Sequence, residues 1–375
     1  MSSEAPGIGT WSYTVNMAFE IPIAIAAILG NLLVMFAVYK NRHLRSVTNS
    51  FIVSLAVADF LVGLVGIPFA LITNANVSMD RYLCLFLNSF IVVLTQISIF
   101  SLLAIAVDRY FAVVSPLKYR RIANTKRALC VIAVTWIAAF AVGLVPVMGW
   151  HLKPDDNSCN FVTIIDMKYM VYFNFFGFVL PPLIIMLFIY IKIFNVVRQQ
   201  IKQISKTVVA ANDDEMARHL SMLTVKEGKA ARALAIVIIL FAICWLPVHF
   251  LNTISLFCKN LNIPYVLLLM AIILSHANSA MNPLIYAYSN REFRRTFKKI
   301  IASCAVCKYL KSKGWTLGLT TSMEFTEASV TALPIRNNVV NQTTLLPTTP
   351  MITQKQNSSP NGIRAIENQT LVSMV

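Results

Sequence analysis

The chain has 375 residues, of which 57% are hydrophobic and only 13% are charged, and its mean hydropathy is +0.67. A soluble domain averages about 45–50% apolar and about 25% charged residues, so this composition excludes an ordinary soluble protein and indicates a membrane protein. The formal net charge of +16 would suit a nucleic-acid partner. The basic residues gather in alternate loops between apolar stretches, however, which argues against nucleic-acid binding.

Seven apolar stretches are long enough to cross a membrane as helices, because about 20 apolar residues span about 30 Å of hydrocarbon. We predict them at 15–39, 48–73, 82–114, 127–148, 168–198, 228–257 and 263–288 and number them as the first to seventh spans. The predicted fold class is an all-α membrane protein, a seven-transmembrane helix bundle over residues 15–290. The positive-inside rule places the N-terminus, residues 1–14, outside the cell and the C-terminus in the cytoplasm.

The chain after the seventh span consists of two segments that differ in composition. The segment 291–303 alternates basic residues with apolar ones such as Phe293, which predicts a short amphipathic helix on the lipids of the inner leaflet. Residues 304–375 are rich in Ser, Thr, Asn and Pro, which predicts a mostly disordered cytoplasmic tail. Cys304 and Cys307 follow the helix directly, and palmitoylation is the favoured interpretation, with an unmodified pair as the alternative.

Other residues point to modifications and partners. Asn76 begins a glycosylation sequon in the first outer loop. Cys84, at the outer start of the third span, and Cys159, in the second outer loop, are both extracellular, so a disulfide is chemically permitted. Ser and Thr residues of the tail are candidate sites for phosphorylation, which could recruit a further protein partner. The final Ser373-Met374-Val375 fits the pattern that PDZ domains bind.

Asp59 lies in the middle of the second span, where a carboxylate costs several kcal/mol unless it has partners. Ser98, Asn278 and Asn282 carry side-chain oxygens on other spans and are expected to converge on it. The cluster is either a site for a cation or a hydrogen-bonded group without an ion. Because an intramembrane charge marks a functional site by default, we favour the ion.

Arg109 stands at the inner end of the third span, where it can pair with the adjacent Asp108. Glu227, at the start of the sixth span, is a second candidate partner, since an arginine fork suits two carboxylates. Breaking this contact would free the sixth span to swing outward. Pro247 bends that span, and Trp245 is placed to transmit ligand contact to the bend.

Three clusters on separate spans together resemble the rhodopsin-like G-protein-coupled receptors. They are Asp108-Arg109-Tyr110, Cys244-Trp245-Leu246-Pro247 and Asn282-Pro283-Leu284-Ile285-Tyr286. The resemblance covers about residues 15–303 and implies a receptor with no catalytic residues that signals through a heterotrimeric G protein. It also implies an allosteric sodium ion beside Asp59, with no other metal or cofactor expected. Tyr190 and Tyr286 match positions that reorganise inside the activated bundle.

The residues expected at the outer half of the bundle exclude some ligands. His276 stands in the seventh span where a retinal Schiff base would need Lys, and Ile91 stands where amine receptors of this family carry Asp. Neutral polar residues among apolar ones suit a small, flat, hydrogen-bonding molecule. These residues are Thr95, Gln96, Asn174, His249, Asn252, Ser275 and His276.

Five segments narrow the resemblance to the adenosine receptors. They are Leu94-Thr95-Gln96, Cys159-Asn160-Phe161, 169–176, 245–252 and 275–279. The resemblance implies adenosine as the ligand, with Phe161 stacking on the adenine ring and Asn252 hydrogen-bonding its edge. Thr95, Ser275 and His276 would hold the ribose hydroxyls, and Glu20 would fix the tautomer of His276. The other implied pocket residues are His249, Met170, Asn174, Leu268 and Ile272.

Some positions leave the direction of signalling open. Val162 follows Phe161 at a position where several adenosine-receptor subtypes carry Glu. The residues Val162 and Leu268 resemble those of a subtype that inhibits adenylate cyclase. The segments 179–194 and 290–297 look most like a cyclase-stimulating subtype, so we favour Gs over Gi.

Other functions remain as alternatives to an adenosine receptor. A receptor for another small purine, or an orphan receptor, is the nearest of them. A transporter is disfavoured because no paired broken helices are visible. A membrane enzyme is disfavoured because the histidines are scattered without metal-ligand spacing. The expected location is the plasma membrane.

Overall fold

The structure is a computed structural model that describes residues 6–303 apart from 76, 154–158, 212–213, 259 and 262. Side chains are placed from residue 13 onward, except over 204–234. Within this part of the chain, seven helical segments are long and apolar enough to cross a membrane, which confirms the predicted fold class. They are Tyr13–Lys40, Val47–Asn74, Arg81–Val114, Thr125–Gly143, Tyr169–Gln203, Ala235–Phe257 and Tyr265–Ser289.

Several of these spans belong to longer or composite helices. The first is part of Pro6–Lys40 and the sixth is part of Asp214–Phe257. The second consists of Val47–Leu61, the π-helical turn Val62–Gly66 and Ile67–Asn74, and the fifth joins the π-helical Tyr169–Val179 to Leu180–Ala211. Shorter helices lie at Arg42–Leu44, Pro116–Ile122, Phe161–Ile164 and Arg291–Ser303.

Side-chain caps begin three of the spans. Asp80 accepts hydrogen bonds from the backbone N–H groups of Tyr82 and Leu83, at 2.9 and 3.1 Å, and so starts the third span. Ser46 caps the second span and Asn124 caps the fourth in the same way. The first N–H groups of a helix have no partner within the helix, so a side-chain oxygen beside them defines where the helix begins.

The fourth span is shorter than predicted. Its helix ends at Gly143, whereas the hydropathy pattern extended it to residue 148. Turns follow around Pro146, and Gly149 has a φ of 127°, a backbone conformation that side-chain-bearing residues rarely adopt. The segment after Gly143 is apolar enough for a helix, but its backbone leaves the helical conformation before residue 148.

Prolines inside the spans leave backbone carbonyls without their helical hydrogen bond. Buried side-chain amides donate hydrogen bonds to two of these carbonyls instead. Pro182 cannot donate to the carbonyl of Phe178, which instead accepts a 2.8 Å hydrogen bond from Nε2 of Gln96 in the third span. Pro283 leaves the carbonyl of Ser279 without its helical partner. That carbonyl accepts a 2.9 Å hydrogen bond from the side-chain amide of Asn31. Such repairs are needed because the hydrocarbon offers no water to an exposed carbonyl.

Glycines allow the spans to approach closely. A Cβ added to Gly143 would lie 2.5 Å from Cγ2 of Val93 and 2.7 Å from its backbone nitrogen, so the fourth span packs directly on the third. A Cβ on Gly30 would lie 2.9 Å from Cγ of Pro283, which places the first span against the bend of the seventh. Small residues at helix contacts are the usual means of close packing in membranes.

The second outer loop is held against the bundle by the predicted disulfide, which the structure contains. Cys84 and Cys159 are bonded, with their Cα atoms 5.7 Å apart, and both are buried. The backbone N–H of Leu152 donates a 2.9 Å hydrogen bond to the carbonyl of Ile164, closing the loop on itself. The disulfide therefore positions Phe161, two residues further on, over the outer end of the third span.

The helix Arg291–Ser303 is anchored at two points. Phe293 is buried and stacks on Tyr286 of the seventh span, with ring centroids 5.7 Å apart. Asn41, in the first inner loop, donates a 2.8 Å hydrogen bond to the hydroxyl of Thr296. The amphipathic pattern thus gives a helix whose apolar side packs partly on the helix bundle.

Several predicted sites fall outside the described residues. They are the sequon at Asn76, the cysteines Cys304 and Cys307, the terminal Ser373-Met374-Val375 and the side chain of Glu227.

Candidate functional site

A cavity of about 470 Å³ lies at the outer half of the bundle, a size typical of sites for small molecules. The residues predicted for the ligand pocket all line it, with the exception of Glu20 and Gln96. They are Thr95, Phe161, Met170, Asn174, His249, Asn252, Leu268, Ile272, Ser275 and His276. The third, fifth, sixth and seventh spans and the second outer loop therefore bring one set of residues together.

Glu20 lies behind the cavity and holds His276. Its two carboxylate oxygens are 2.8 and 2.9 Å from Nδ1 of the imidazole, and both side chains are buried. A carboxylate accepts hydrogen bonds, so Nδ1 carries a proton, and Nε2 is the ring nitrogen that remains for a ligand. The predicted contact between the first and seventh spans is present.

The hydroxyl groups of Thr95 and Ser275 donate hydrogen bonds to backbone carbonyls of their own helices. Thr95 donates to the carbonyl of Ile91 at 3.0 Å, and Ser275 donates to the carbonyl of Ile272 at 2.7 Å. A hydroxyl retains acceptor lone pairs after donating its proton. Both residues can therefore receive hydrogen bonds from hydroxyl groups of a ligand.

His249 has polar atoms that no described residue satisfies. Its ring stacks on Phe175, with centroids 4.8 Å apart and an interplanar angle of 10°, and it lies 6.2 Å from the ring of Trp245. Both ring nitrogens are buried without a hydrogen-bond partner among the described residues. Since buried polar groups are nearly always hydrogen-bonded, a ligand or a water molecule is the expected partner.

Asn88 is a cavity residue that sequence reasoning missed. Its Nδ2 donates to the carbonyl of Cys84 at 2.9 Å and lies 3.9 Å from the sulfur of Cys159. Its Oδ1 is buried with no partner in the described part of the chain. The spacing of four residues from Cys84 places both on one helix face, which is a signal that was available in the sequence. Further missed lining residues are Tyr13, Thr73, Asn74, Asn160 and Tyr265.

Asp59 is fully buried and gathers neutral partners. Asn282 donates to it at 2.6 Å and Ser98 donates at 3.4 Å, as the sequence predicted. Ser279 adds a side-chain hydrogen bond that was not predicted. Asn278 is buried nearby, but it is not among the hydrogen-bond partners of Asp59 that the described residues provide.

Asp108 is the centre of a cluster of hydrogen bonds at the inner end of the third span. We call this cluster, formed by Asp108, Arg109, Thr48 and Tyr119, the lock. Arg109 donates to Asp108 through Nη2 and Nε, at 2.8 and 3.2 Å. Thr48 and Tyr119 donate from two other elements, at 2.5 and 2.8 Å. Burial raises the pKa of Tyr119, and the bond to Asp108 raises it further, so this phenol remains a donor at physiological pH. The sequence predicted Arg109 but not Thr48 or Tyr119.

The predicted switch aromatics connect the cavity to the inner half of the bundle. Trp245 lines the cavity and stacks on Phe241, with centroids 6.0 Å apart, two residues before the helix-interrupting Pro247. Tyr190 and Tyr286 are buried, and their hydroxyls have no hydrogen-bond partner among the described residues. Tyr110, next to Arg109, packs edge-on against Phe111. These unsatisfied hydroxyls are groups that a rearranged bundle can pair.

A seven-span bundle with an outer cavity and an inner arginine lock defines a membrane receptor, and comparisons with known proteins agree. Residues 30–286 match the family described as 7 transmembrane receptor (rhodopsin family). The chain is 45% identical over 305 residues to adenosine receptor A2a of Homo sapiens, covering 77% of this chain and 73% of that protein. It is 46% identical over 312 residues to adenosine receptor A2b of Homo sapiens, covering 78% and 91%. It is also 46% identical over 317 residues to adenosine receptor A2b of Gallus gallus, covering 79% and 90%.

The chain belongs to the rhodopsin family of seven-transmembrane receptors and, within it, to the adenosine receptors. It is accordingly a multi-pass protein of the plasma membrane and a receptor rather than an enzyme. The transporter and membrane-enzyme alternatives are thereby removed.

Proposed function

We propose that this protein is a receptor for extracellular adenosine that acts through a heterotrimeric G protein to stimulate adenylate cyclase. The observation that carries the proposal is the outer cavity, in which Phe161, Asn252, Ser275 and His276 line one space of about 470 Å³. Its polar groups are neutral and its walls are apolar, which matches an uncharged nucleoside. The similarity to adenosine receptors A2a and A2b supports the same ligand and favours Gs over Gi.

The chemistry of each lining residue fits one part of adenosine. The amide of Asn252 has one acceptor and one donor, which complement the exocyclic amine and a ring nitrogen of adenine. Phe161 supplies an aromatic face, and a well-placed stack contributes about 1 kcal/mol beyond area burial. Thr95 and Ser275 offer acceptor lone pairs for the ribose hydroxyls. Nε2 of His276 is a third partner for the sugar, since Glu20 occupies Nδ1.

The signal is proposed to run from Trp245 to the lock at Asp108. Ligand contact at the cavity moves Trp245, and the helix yields at Pro247, where one backbone hydrogen bond is missing. Release of Arg109 from Asp108 then exposes the guanidinium to the G protein. An inhibitory Gi protein is the alternative partner for the same surface.

We further propose that a sodium ion binds beside Asp59 in the inactive state. A buried carboxylate needs a counter-charge, and the partners of Asp59 among the described residues, Ser98, Ser279 and Asn282, are all neutral. Carboxylate, hydroxyl and amide oxygens are hard ligands that suit such a cation. No other metal or cofactor is proposed.

The remaining proposals concern orientation and the tail. The N-terminus is placed outside the cell and the C-terminus inside by the basic inner loops. Receptor kinases and an arrestin-type partner are proposed to act on the tail. Palmitoylation at Cys304 or Cys307, glycosylation at Asn76 and PDZ binding by 373–375 stay predictions.

The test is cAMP accumulation in cells that express the wild type, Asn252→Ala or Asn260→Ala, with adenosine applied over a wide concentration range. Asn260 is exposed in the third outer loop and does not line the cavity, so its variant is the matched control. We expect a cAMP rise that Asn252→Ala abolishes at equal surface expression. A fall in stimulated cAMP would identify Gi. Silence of the wild type in both cAMP and calcium release would remove adenosine as the ligand.

A further inference from the structure

A second cavity, of about 580 Å³, opens toward the membrane at the inner half of the bundle. We call it the inner-leaflet groove and define it by its walls. These are the third span from Phe100 to Phe111, the fourth span from Arg127 to Ala138, and Val47 and Phe51 of the second span. The short helix Pro116–Ile122 closes its inner end through Tyr119 and Ile122. Its walls are apolar along nearly their whole length, and its position is separate from the outer cavity.

The length of the groove matches one leaflet. Arg127 and Ala138 lie eleven residues apart on one helix. At 1.5 Å per residue the groove therefore runs about 16 Å, close to half of the about 30 Å hydrocarbon thickness. Val131 and Val134 on its wall are exposed, by 43% and 59%, so its open side faces the lipid. An apolar groove of this shape admits an acyl chain, because water gains no hydrogen bonds there.

The charges at the mouth select the head group. Residues 115–135 contain five exposed cations and no Asp or Glu; the cations are Lys118, Arg120, Arg121, Lys126 and Arg127. Arg127 lines the groove and also donates to the carbonyl of Ile122 at 3.2 Å. Asp108 is the acid at this end, and it is already occupied by Arg109, Thr48 and Tyr119. The mouth therefore favours an anionic head group over a zwitterionic one.

We propose that the inner-leaflet groove binds one acyl chain of an anionic phospholipid, with its phosphate beside Arg127. Moving an acyl chain from the surrounding lipid into the groove releases little hydrophobic free energy, because both environments are apolar. The fit of the chain and the charge of the head group therefore decide which lipid occupies the groove. The bound chain packs against Tyr119 and thereby against the lock at Asp108. This site is independent of the adenosine proposal, since lipid occupancy is measured without any nucleoside.

The test uses the full-length receptor in nanodiscs that contain a photoactivatable phosphatidylserine, with the reactive group on the acyl chain. Cross-linked peptides are identified by mass spectrometry. We expect labelling of peptides from the third and fourth spans that border the groove. Labelling by phosphatidylcholine with the same chain should be clearly weaker.

Two pairs of variants separate the groove from general contact with lipid. Val134→Trp fills the groove from its exposed side without entering the core and should abolish labelling, whereas Ala133→Phe, on the exposed face outside the groove, should not. Arg127→Gln should weaken labelling about fivefold, as expected for about 1 kcal/mol per cation at the surface. Arg42→Gln, exposed between the first and second spans and not among the cations at the mouth, is its charge-matched control.

Three results would overturn the proposal. Equal labelling by phosphatidylcholine and phosphatidylserine would show general lipid contact without head-group selection. Equal labelling of Val134→Trp and Ala133→Phe would show that the groove does not hold the chain. Absence of labelling in the wild type would show that another occupant, such as a second copy of the receptor, covers the groove.

Discussion

The buried contact between Glu20 and His276 allows a quantitative test of how the receptor holds a ribose. We choose Glu20→Gln because the amide keeps the size and an acceptor oxygen while it removes the charge. In the structure both carboxylate oxygens lie within 2.9 Å of Nδ1, and the side chains are only 1% and 6% exposed, so solvent screens the interaction little.

The magnitude follows from the strength of the hydrogen bond. A bond to a charged group contributes about 1.5–3 kcal/mol and a neutral one about 0.5–1.5 kcal/mol, so the amide should weaken the contact by about 1 kcal/mol. That value corresponds to about a fivefold loss of agonist affinity. A purine antagonist that lacks a ribose should keep its affinity, because Glu20 acts only on the residue that holds the sugar.

The assay is competition binding by adenosine against such an antagonist, measured for Glu20→Gln, His276→Asn and the double variant. The reasoning predicts a coupling energy of about 1 kcal/mol between the two sites, since the two residues are in direct contact. Additivity within about 0.3 kcal/mol would refute it. Equal losses for agonist and antagonist would show instead that the substitution had damaged the whole cavity.

Three further predictions follow from the packing and the buried charges. Cys84→Ser should cost about 2–5 kcal/mol of stability and most ligand affinity, measured by thermal unfolding and binding, while the exposed Cys258→Ser should change neither. Asp59→Asn should remove the ability of sodium to lower agonist affinity, and a sodium effect that persists in this variant, against an organic-cation control, would contradict the proposed site. Gly143→Ala should destabilise the bundle by about 1–3 kcal/mol because its Cβ would meet Val93 at 2.5 Å, whereas Gly177→Ala, with its nearest neighbour 3.9 Å away, should be tolerated in the same thermal assay.

The sequence was sufficient for features that depend on composition and on local pattern. The seven spans follow from apolar length alone, since the hydrocarbon thickness sets a minimum that short core helices do not reach. The predicted topology permitted the disulfide, because it puts Cys84 and Cys159 on the same side of the membrane, and the structure contains the bond. Most of the predicted cavity residues lie in the five quoted segments, and those segments meet in the structure.

Tertiary structure alone decided which distant groups meet. Thr48 and Tyr119 complete the lock at Asp108 because the second span and the short helix Pro116–Ile122 both reach the inner end of the third span, and no pattern in either segment encodes that approach. Ser279 joins Ser98 and Asn282 beside Asp59, and this contact depends on the rotation of the seventh span, since adjacent positions on a helix point about 100° apart.

The prolines of the spans show how local sequence and tertiary packing act together. The sequence predicts that Pro182 and Pro283 each remove one hydrogen bond from their helix, because proline has no backbone N–H. It does not tell which side chains repair the break. Gln96 and Asn31 do so because helix packing brings their amides to the freed carbonyls. Local chemistry thus determines that a partner is required in the membrane, and only the packing of the seven spans determines which residue provides it.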